Sequence, residues 1–228
     1  MSTSVCPVCD GLKHIPNPKD PTGLWIQCPC LKQERIEINS MRAGITFPVA
    51  DLGVLKVKDA STRDINADGL EQLVKAEGKL KAGQHLNKIY CLQGTPSGPK
   101  DLFVQSLIYA GISAGLTASQ KNLEHLISNR FSTDQEDNIP LEEDFKRYGI
   151  YCISFGSETQ FNIAGSILQE LVRLRWAHPN HTLIFHTNLR YQHIFEKYTD
   201  AVHGLFVDLP KREFKGERRV VFTEVENL

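Results

Sequence analysis

From residue 67 onward, short apolar runs alternate with longer segments in which apolar residues recur every three or four positions. The short runs are typical of buried strands, and the recurring pattern is typical of amphipathic helices. It predicts helices over residues 68–81, 100–114, 120–130, 161–177 and 191–198. It predicts strands over residues 88–93, 149–155, 181–186, 204–209 and 219–224. Strands that alternate with helices of this length predict an α/β fold, with a parallel sheet flanked on both faces by helices.

The first part of the chain is organised differently. Residues 25–27 have the pattern of a short strand, and residues 31–41 form a charged segment with helical periodicity. A turn-forming stretch at residues 44–48 then separates this part from the alternating pattern. We therefore predict two domains, a small one over residues 1–44 that includes the linking helix and a larger one over residues 45–228.

Composition narrows the class of protein. Apolar residues make up 41% and charged residues 23% of the 228-residue chain, which is sufficient for a buried core. The chain has no apolar run of about 18 residues, and residues 1–5 lack the pattern of a secretory signal, so we expect a cytoplasmic protein with no transmembrane helix. The 26 basic and 27 acidic residues nearly balance, which argues against a polybasic nucleic-acid binder. Acid-rich residues 132–144 predict a surface loop.

Four of the six cysteines lie within the first thirty residues. Two residues separate Cys6 from Cys9, one residue separates Cys28 from Cys30, and eighteen residues separate the two pairs. Cysteine pairs on tight turns are typical of a structural zinc site, in which four thiolates surround one metal ion. A segment of about forty residues buries little core, so zinc would supply the missing folding free energy. The alternatives are reduced pairs or disulfides, and the pattern leaves open whether this module contacts protein or nucleic acid.

The turn after the first strand of the larger domain carries further chemistry. Residues 94–101 read Gly-Thr-Pro-Ser-Gly-Pro-Lys-Asp, with the length and position of a phosphate-binding P-loop between a strand and a helix. Gly94 and Lys100 match that motif. Pro99 replaces its second glycine and has no N–H for phosphate, and Asp101 replaces the hydroxyl residue that would ligate Mg²⁺. We interpret the turn as a P-loop that has lost its nucleotide, which puts ATP and Mg²⁺ in doubt as cofactors. Its vestigial nucleotide-binding residues are Gly94, Gly98, Lys100 and Asp101.

In their order and separation, these features resemble those of the DnaC/DnaI-like replicative helicase loaders of the AAA+ class, to which the IstB-type transposition ATPases are related. The resemblance covers nearly the whole chain. It rests on the CPVC and CPC segments, on the degenerate P-loop, and on an apolar strand that ends in Thr187 and Asn188. It implies an AAA+-like P-loop core behind a small zinc-ribbon-like domain, and it makes Asn188 a nucleotide-sensing position. The departures from the family pattern indicate a degenerate, phage-type member.

The resemblance also locates positions at which family chemistry is missing. Family members have two acidic residues near the end of the strand that corresponds to residues 149–155, and here those positions are Ile153 and Ser154. Glu158 lies beyond the end of that strand, so we do not expect it to replace them. The arginines that reach nucleotide in the family correspond to Ala201 and Leu205 in a gapless count. Hydrolysis needs a phosphate cradle, a metal, an oriented water and a charge-stabilising arginine together, so these losses predict a pseudo-ATPase.

The resemblance and its departures together predict a DNA replication adaptor that binds a hexameric replicative DNA helicase without an ATP cycle of its own. One alternative is an active, divergent ATPase that loads the helicase. Another is a zinc-ribbon protein that binds single-stranded nucleic acid through a basic stretch near the C-terminus, where an aromatic residue would stack on bases. The basic residues of that stretch are Lys211, Arg212, Lys215, Arg218 and Arg219. Its simpler interpretation is a solvated turn between two strands.

Overall fold

The computed structural model describes residues 6–19, 23, 25–46, 67–93, 100–131, 139–189, 193–194, 196–198 and 220–224. In chain order its elements are β1 (His14–Pro16), β2 (Trp25–Gln27), α1 (Pro29–Arg42), α2 (Ala67–Lys81), β3 (Ile89–Gln93), α3 (Lys100–Ser113), β4 (Ala118–Asn122), α4 (Leu123–Arg130), α5 (Leu141–Lys146), β5 (Ile150–Phe155), α6 (Phe161–Ala177), β6 (Thr182–Thr187) and β7 (Val220–Glu224). No helix in these ranges is long and apolar enough to span a membrane.

Strands β3 to β7 form one sheet in the order β4-β5-β6-β3-β7, and every neighbouring pair is parallel. Parallel neighbours need crossover connections, and here helices supply them between β3 and β6 in the chain. The predicted α/β fold with a helix-flanked parallel sheet is therefore confirmed. Because all five strands run in the same direction, their carboxyl ends lie along one edge of the sheet. This carboxyl edge is where the P-loop segment follows β3.

Alternate residues of the strands enter two separate apolar layers. Tyr90, Ile150 and Ile184 pack with helices α1, α2 and α3 on one face. Ile153 and Phe185 pack with helices α4, α5 and α6 on the other face. A sheet buried on both faces needs apolar residues at consecutive positions, which explains why its central strands appear in the sequence as unbroken apolar runs.

The prediction of a helix over residues 120–130 is wrong in its first part. Residues 118–122 form β4, the edge strand that pairs with β5, and the helix begins only at Leu123. The side chain of Asn122 accepts a hydrogen bond from the backbone N–H of Glu124 at 2.9 Å, so Asn122 is the N-cap that sets this boundary. Strand β4 is polar, and only its pairing with β5 makes it a strand.

The predicted acidic loop over residues 132–144 is also partly wrong, because residues 141–146 form helix α5. Three acidic residues, Glu142, Glu143 and Asp144, lie in the first turn of α5, where the helix dipole favours negative charge. Of the predicted C-terminal elements, the strand at residues 220–224 is present, and residues 193–194 and 196–198 are helical. The predicted strand over residues 204–209 lies outside the described residues.

Helix α1 connects the cysteine segment to the sheet through direct packing. Ile36, Ala43 and Ile45 belong to the same apolar layer as α2 and α3. Thr46 donates a hydrogen bond from its hydroxyl to Oε1 of Gln105 on α3 at 3.0 Å. The helix therefore packs on the core through Ile36 and through the residues that follow its C-terminus, and the predicted domain division after residue 44 stays a prediction.

At the opposite, amino edge of the sheet, His85 and His181 lie close together, with 6.3 Å between their ring centroids. Burial lowers the pKa of His85, and the nearby His181 and Arg175 lower it further. Folding therefore favours the neutral ring, whereas a histidine in the unfolded chain has a pKa near about 6.5. Below about pH 6.5 the unfolded chain binds more protons at this histidine than the folded chain does. The free energy of unfolding therefore decreases as the pH falls.

We therefore expect His85→Gln to reduce the loss of thermal stability between pH 7.5 and pH 5.5. The measurement is the melting temperature of both proteins across this range by circular dichroism. Equal slopes in the two proteins would show that His85 does not contribute.

Candidate functional site

The described N-terminal residues bring four cysteines together. The sulfur atoms of Cys6, Cys9, Cys28 and Cys30 all lie within 4.8 Å of one another. The Sγ atoms of Cys6 and Cys28 are 3.9 Å apart, and those of Cys9 and Cys30 are 3.4 Å apart. A disulfide would need about 2.05 Å, whereas a tetrahedron with zinc–sulfur bonds of about 2.3 Å places sulfur atoms roughly 3.8 Å apart. The four thiols therefore fit a single tetrahedral zinc ion.

Local backbone geometry explains why the first cysteine pair converges. The N–H of Asp10 donates to the carbonyl of Cys6 at 2.8 Å, which closes a tight turn. Asp10 and Gly11 continue the turn at positive φ angles of 47° and 83°, the second of which glycine adopts without strain. Backbone N–H groups of Val8 and Cys9 lower the pKa of Cys6 to about 7. The turn therefore favours the thiolate, which is the form that binds metal.

The second pair is positioned by a hairpin and a helix start. Strands β1 and β2 pair antiparallel, and the N–H of Cys28 donates to the carbonyl of Lys13 at 2.9 Å. Cys28 is the N-cap of α1, and Cys30 lies in its first turn. This geometry accounts for the single-residue spacer, because the start of the helix turns both sulfur atoms toward the first pair. Side-chain hydrogen bonds with Cys9 and Cys28 raise the pKa of Cys30, in contrast to the lowered pKa of Cys6.

The second candidate region is the carboxyl edge of the sheet. Strands β3, β5 and β6 end side by side there, with Gln93 and Phe155 each paired with Thr187. Gly94 and Gly98 lie outside the described residues. Lys100 begins helix α3, and Asp101 follows it in the first turn. The structure thus places a strand directly before the P-loop segment and a helix at its end, as the sequence predicts.

Asp101 faces a histidine that the sequence did not single out for this site. Nδ1 of His186 on β6 lies 3.6 Å from Oδ1 of Asp101, and His186 is 5% exposed. Nε2 of the same ring lies 3.4 Å from Nε2 of Gln120 on β4. The available signal was a polar residue at the end of an otherwise apolar strand, directly before Thr187 and Asn188.

The two positions where the resemblance implies acidic residues carry no charge. Ile153 is fully buried in the layer beneath α4, α5 and α6. Ser154 is on the opposite face of β5, and its hydroxyl lies 3.4 Å from the carbonyl of Lys121. An acid at position 153 would point into the apolar layer, so position 154 is the one that faces α3.

Glu158 stabilises the loop that follows β5. It is 2% exposed, and its carboxylate accepts the backbone N–H of Gly156 at 2.8 and 3.0 Å. It also accepts a hydrogen bond from the hydroxyl of Tyr198. Burial raises the pKa of Tyr198, and the bond to Glu158 raises it further, so this phenol stays a donor. The carboxylate therefore holds this loop in place through Gly156 and Tyr198.

The remaining predicted residues fall into two groups. Asn188 is exposed at the end of β6, next to the carboxyl edge. The positions of the expected arginines, Ala201 and Leu205, lie outside the described residues, and so do Lys211, Arg212, Lys215, Arg218 and Arg219.

Two solved structures that are similar to this chain agree with the fold that its strand order indicates. A solved DnaI structure aligns with a TM-score of 0.52 at 14% identity, over 78% of this chain and 87% of that chain. The described α/β part of this chain therefore shares the fold of the solved DnaI structure. The replication initiator DnaA, solved with AMPPCP and single-stranded DNA, aligns with a TM-score of 0.51 at 12% identity, over 76% of this chain. This chain aligns with 49% of that DnaA chain.

A solved DnaC helicase loader aligns with a TM-score of 0.48 at 14% identity, over 75% of this chain and 96% of that chain. No protein-family model matches the sequence, and no curated protein is detectably similar to it. In this chain β3 precedes the segment over residues 94–101, β5 carries Ile153 and Ser154, and β6 leads to Asn188. The departures in the sequence therefore meet at a single edge of the sheet.

Proposed function

We propose that this protein is a replication adaptor that resembles a helicase loader and binds a replicative DNA helicase without hydrolysing ATP. The observation that carries this proposal is the chemistry of the carboxyl edge. Asp101 faces His186, position 154 is an uncharged serine, and Glu158 is bound to Gly156 and Tyr198. An AAA+ fold with these side chains offers a scaffold for protein contacts, and within the described part of β5 positions 153 and 154 lack the acidic groups that would hold Mg²⁺ and orient water.

In this proposal the N-terminal module is a structural zinc site with Cys6, Cys9, Cys28 and Cys30 as its ligands. Zinc would supply folding free energy and no reaction step, because four sulfur ligands leave no open coordination position. The module is joined to the core through α1, so a partner held by the module would also be held next to α3. The proposal places helicase contacts on a chain whose shape does not depend on nucleotide.

The proposal predicts that the protein and a purified hexameric replicative helicase form a complex of the same mass with and without ATP and Mg²⁺. Native mass spectrometry is the suitable measurement, because it reports zinc, stoichiometry and bound nucleotide in one experiment. Absence of a complex in both conditions would overturn the adaptor function. A complex that forms only with ATP would indicate the alternative, an active ATPase loader.

The same proposal predicts that ATP turnover by the isolated protein equals that of Lys100→Ala, the variant that removes the one P-loop cation. Turnover clearly above that of Lys100→Ala would show that the site is catalytic. Phosphate release over hours at millimolar ATP is sensitive enough to separate these outcomes.

A further inference from the structure

Three polar side chains from three different elements meet at the carboxyl edge. His186 extends from β6 toward Asp101 in the first turn of α3 on one side and toward Gln120 of β4 on the other. The separations are 3.6 Å from Nδ1 to the Asp101 carboxylate and 3.4 Å from Nε2 to the Gln120 amide nitrogen. His186 is 5% exposed, whereas the side chain of Asp101 retains 48% of its exposure. The three side chains therefore form a row, which runs from the buried His186 to the partly exposed Asp101 at the end of the P-loop segment.

The row depends on small residues in β5. Strand β5 lies between β4 and β6, so Gln120 reaches His186 only by crossing over it. Gln120 pairs with Cys152 on β5, and Ser154, two residues further along, pairs with His186. Both side chains on this face of β5 are small. Replacement of a long acidic residue by Ser154 thus leaves room for the Gln120 amide beside the imidazole.

The electrostatics of the row follow from its geometry. With the amide nitrogen of Gln120 directed at Nε2, that ring nitrogen is the acceptor and the proton of a neutral ring lies on Nδ1, which faces Asp101. The 3.6 Å separation is longer than a hydrogen bond, so the contact with Asp101 is electrostatic. A helix N-terminus attracts negative charge, which phosphate supplies in a P-loop protein. Here the carboxylate of Asp101 supplies that charge from within the chain.

We propose that Gln120, His186 and Asp101 form an internal clamp that takes the place of nucleotide at this edge. The clamp holds the first turn of α3 against β6 and keeps the carboxyl edge in one arrangement without a bound phosphate. This inference rests on the proposed nucleotide-independent function and names the groups that make it independent. It also gives Asp101 a role beyond the loss of a metal-binding hydroxyl.

A double-mutant cycle in the absence of nucleotide tests the clamp. Asp101→Asn removes the charge at nearly constant shape, and His186→Gln removes the ring. We expect each change to lower the melting temperature by about 2–4 °C. The melting temperature of the double variant should be no more than about 1 °C below that of the less stable single variant, because both changes break the same contact. Hydrogen exchange should accelerate in the first turn of α3 in each variant and remain unchanged in α6.

The His178 and Glu142 pair is a matched control. The separation is the same 3.6 Å, but the histidine side chain is 27% exposed, against 7% for His186, and Glu142 also pairs with Lys146 at 2.5 Å. A cycle with His178→Gln and Glu142→Gln should be additive, since exposed pairs contribute little. If His186→Gln does not fold, His186→Leu provides the same cycle with an apolar side chain like that of Ile184.

Additive losses in the cycle between Asp101 and His186, or unchanged exchange in α3, would overturn the clamp. That result is separable from failure of the proposed function. Binding of ATP and Mg²⁺ to the unaltered protein by calorimetry would overturn the nucleotide-independent function. The double-mutant cycle is measured without nucleotide, so its result does not depend on whether the protein binds ATP.

Discussion

Cys28→Ser is expected to abolish zinc binding and to unfold the N-terminal module while the sheet domain remains folded. Cys28 is 1% exposed and is one of four cysteines whose sulfur atoms lie within 4.8 Å of one another, so its loss removes a buried sulfur ligand and opens the site to water. Strands β1 and β2 have three residues each, and β2 is exposed along its length. Such a module has little core of its own, and apparent zinc affinities of about 10–16 kcal/mol in zinc-finger peptides show how much metal can contribute.

The measurement is metal content by inductively coupled plasma mass spectrometry, together with limited proteolysis of the N-terminal module. The unaltered protein should carry about one zinc ion per chain and should become sensitive to protease within the module after chelation. Cys152→Ala is the matched control, because Cys152 is fully buried in strand β5 and is not one of the four clustered cysteines, so its loss should leave the zinc content unchanged. Zinc-free protein whose module resists protease would refute the metal site.

Asp144→Ala is expected to destabilise the sheet domain severely. Asp144 is 6% exposed, and its Oδ2 accepts hydrogen bonds from Lys121 Nζ and from the hydroxyl of Tyr151, each at 2.5 Å. Burial raises the pKa of Tyr151, and its bond to Asp144 raises it further, so the phenol remains a donor. Truncation leaves the partly buried ammonium of Lys121 and a buried hydroxyl without their acceptor.

Breaking a buried charge pair from one side costs about 3–5 kcal/mol, which corresponds to a fall of roughly ten degrees in melting temperature for a chain of this size. Glu143→Ala is the matched control on the same helix turn, because Glu143 is 59% exposed and pairs with Arg147 in solvent. Its effect should stay below about 1 kcal/mol. Similar melting temperatures for the two variants would contradict a structural role for the Asp144 network.

The sequence predicts secondary structure well where buried positions recur in a regular pattern. The apolar runs at residues 89–92 and 150–153 indicate strands buried on both faces, and the structure places both in the parallel sheet. The spacing of α6 predicts its bounds at residues 161–177, which the structure reproduces. The four cysteines are recognisable because metal ligation restricts residue type and spacing, and their sulfur atoms do converge.

The sequence predicts less well where a segment becomes ordered only through its neighbours. Strand β4 is a strand because β5 supplies its hydrogen-bond partners, and its polar residues carry no alternating pattern. Helix α5 has six residues and lies within an acid-rich stretch that has the composition of a loop. Its buried residues Asp144 and Phe145 fix it through contacts that no local pattern encodes.

The sequence by itself determined the α/β fold and the positions of the candidate zinc ligands, and it shows uncharged residues at positions 153 and 154. The tertiary structure alone decided what the remaining charged groups do. It turned Glu158 toward Gly156 and Tyr198, and it brought Asp101 to His186 across 85 positions of the chain. The physical reason is that residue type and spacing record local conformation and burial, whereas the partner of a buried polar group is chosen by the packing of distant elements.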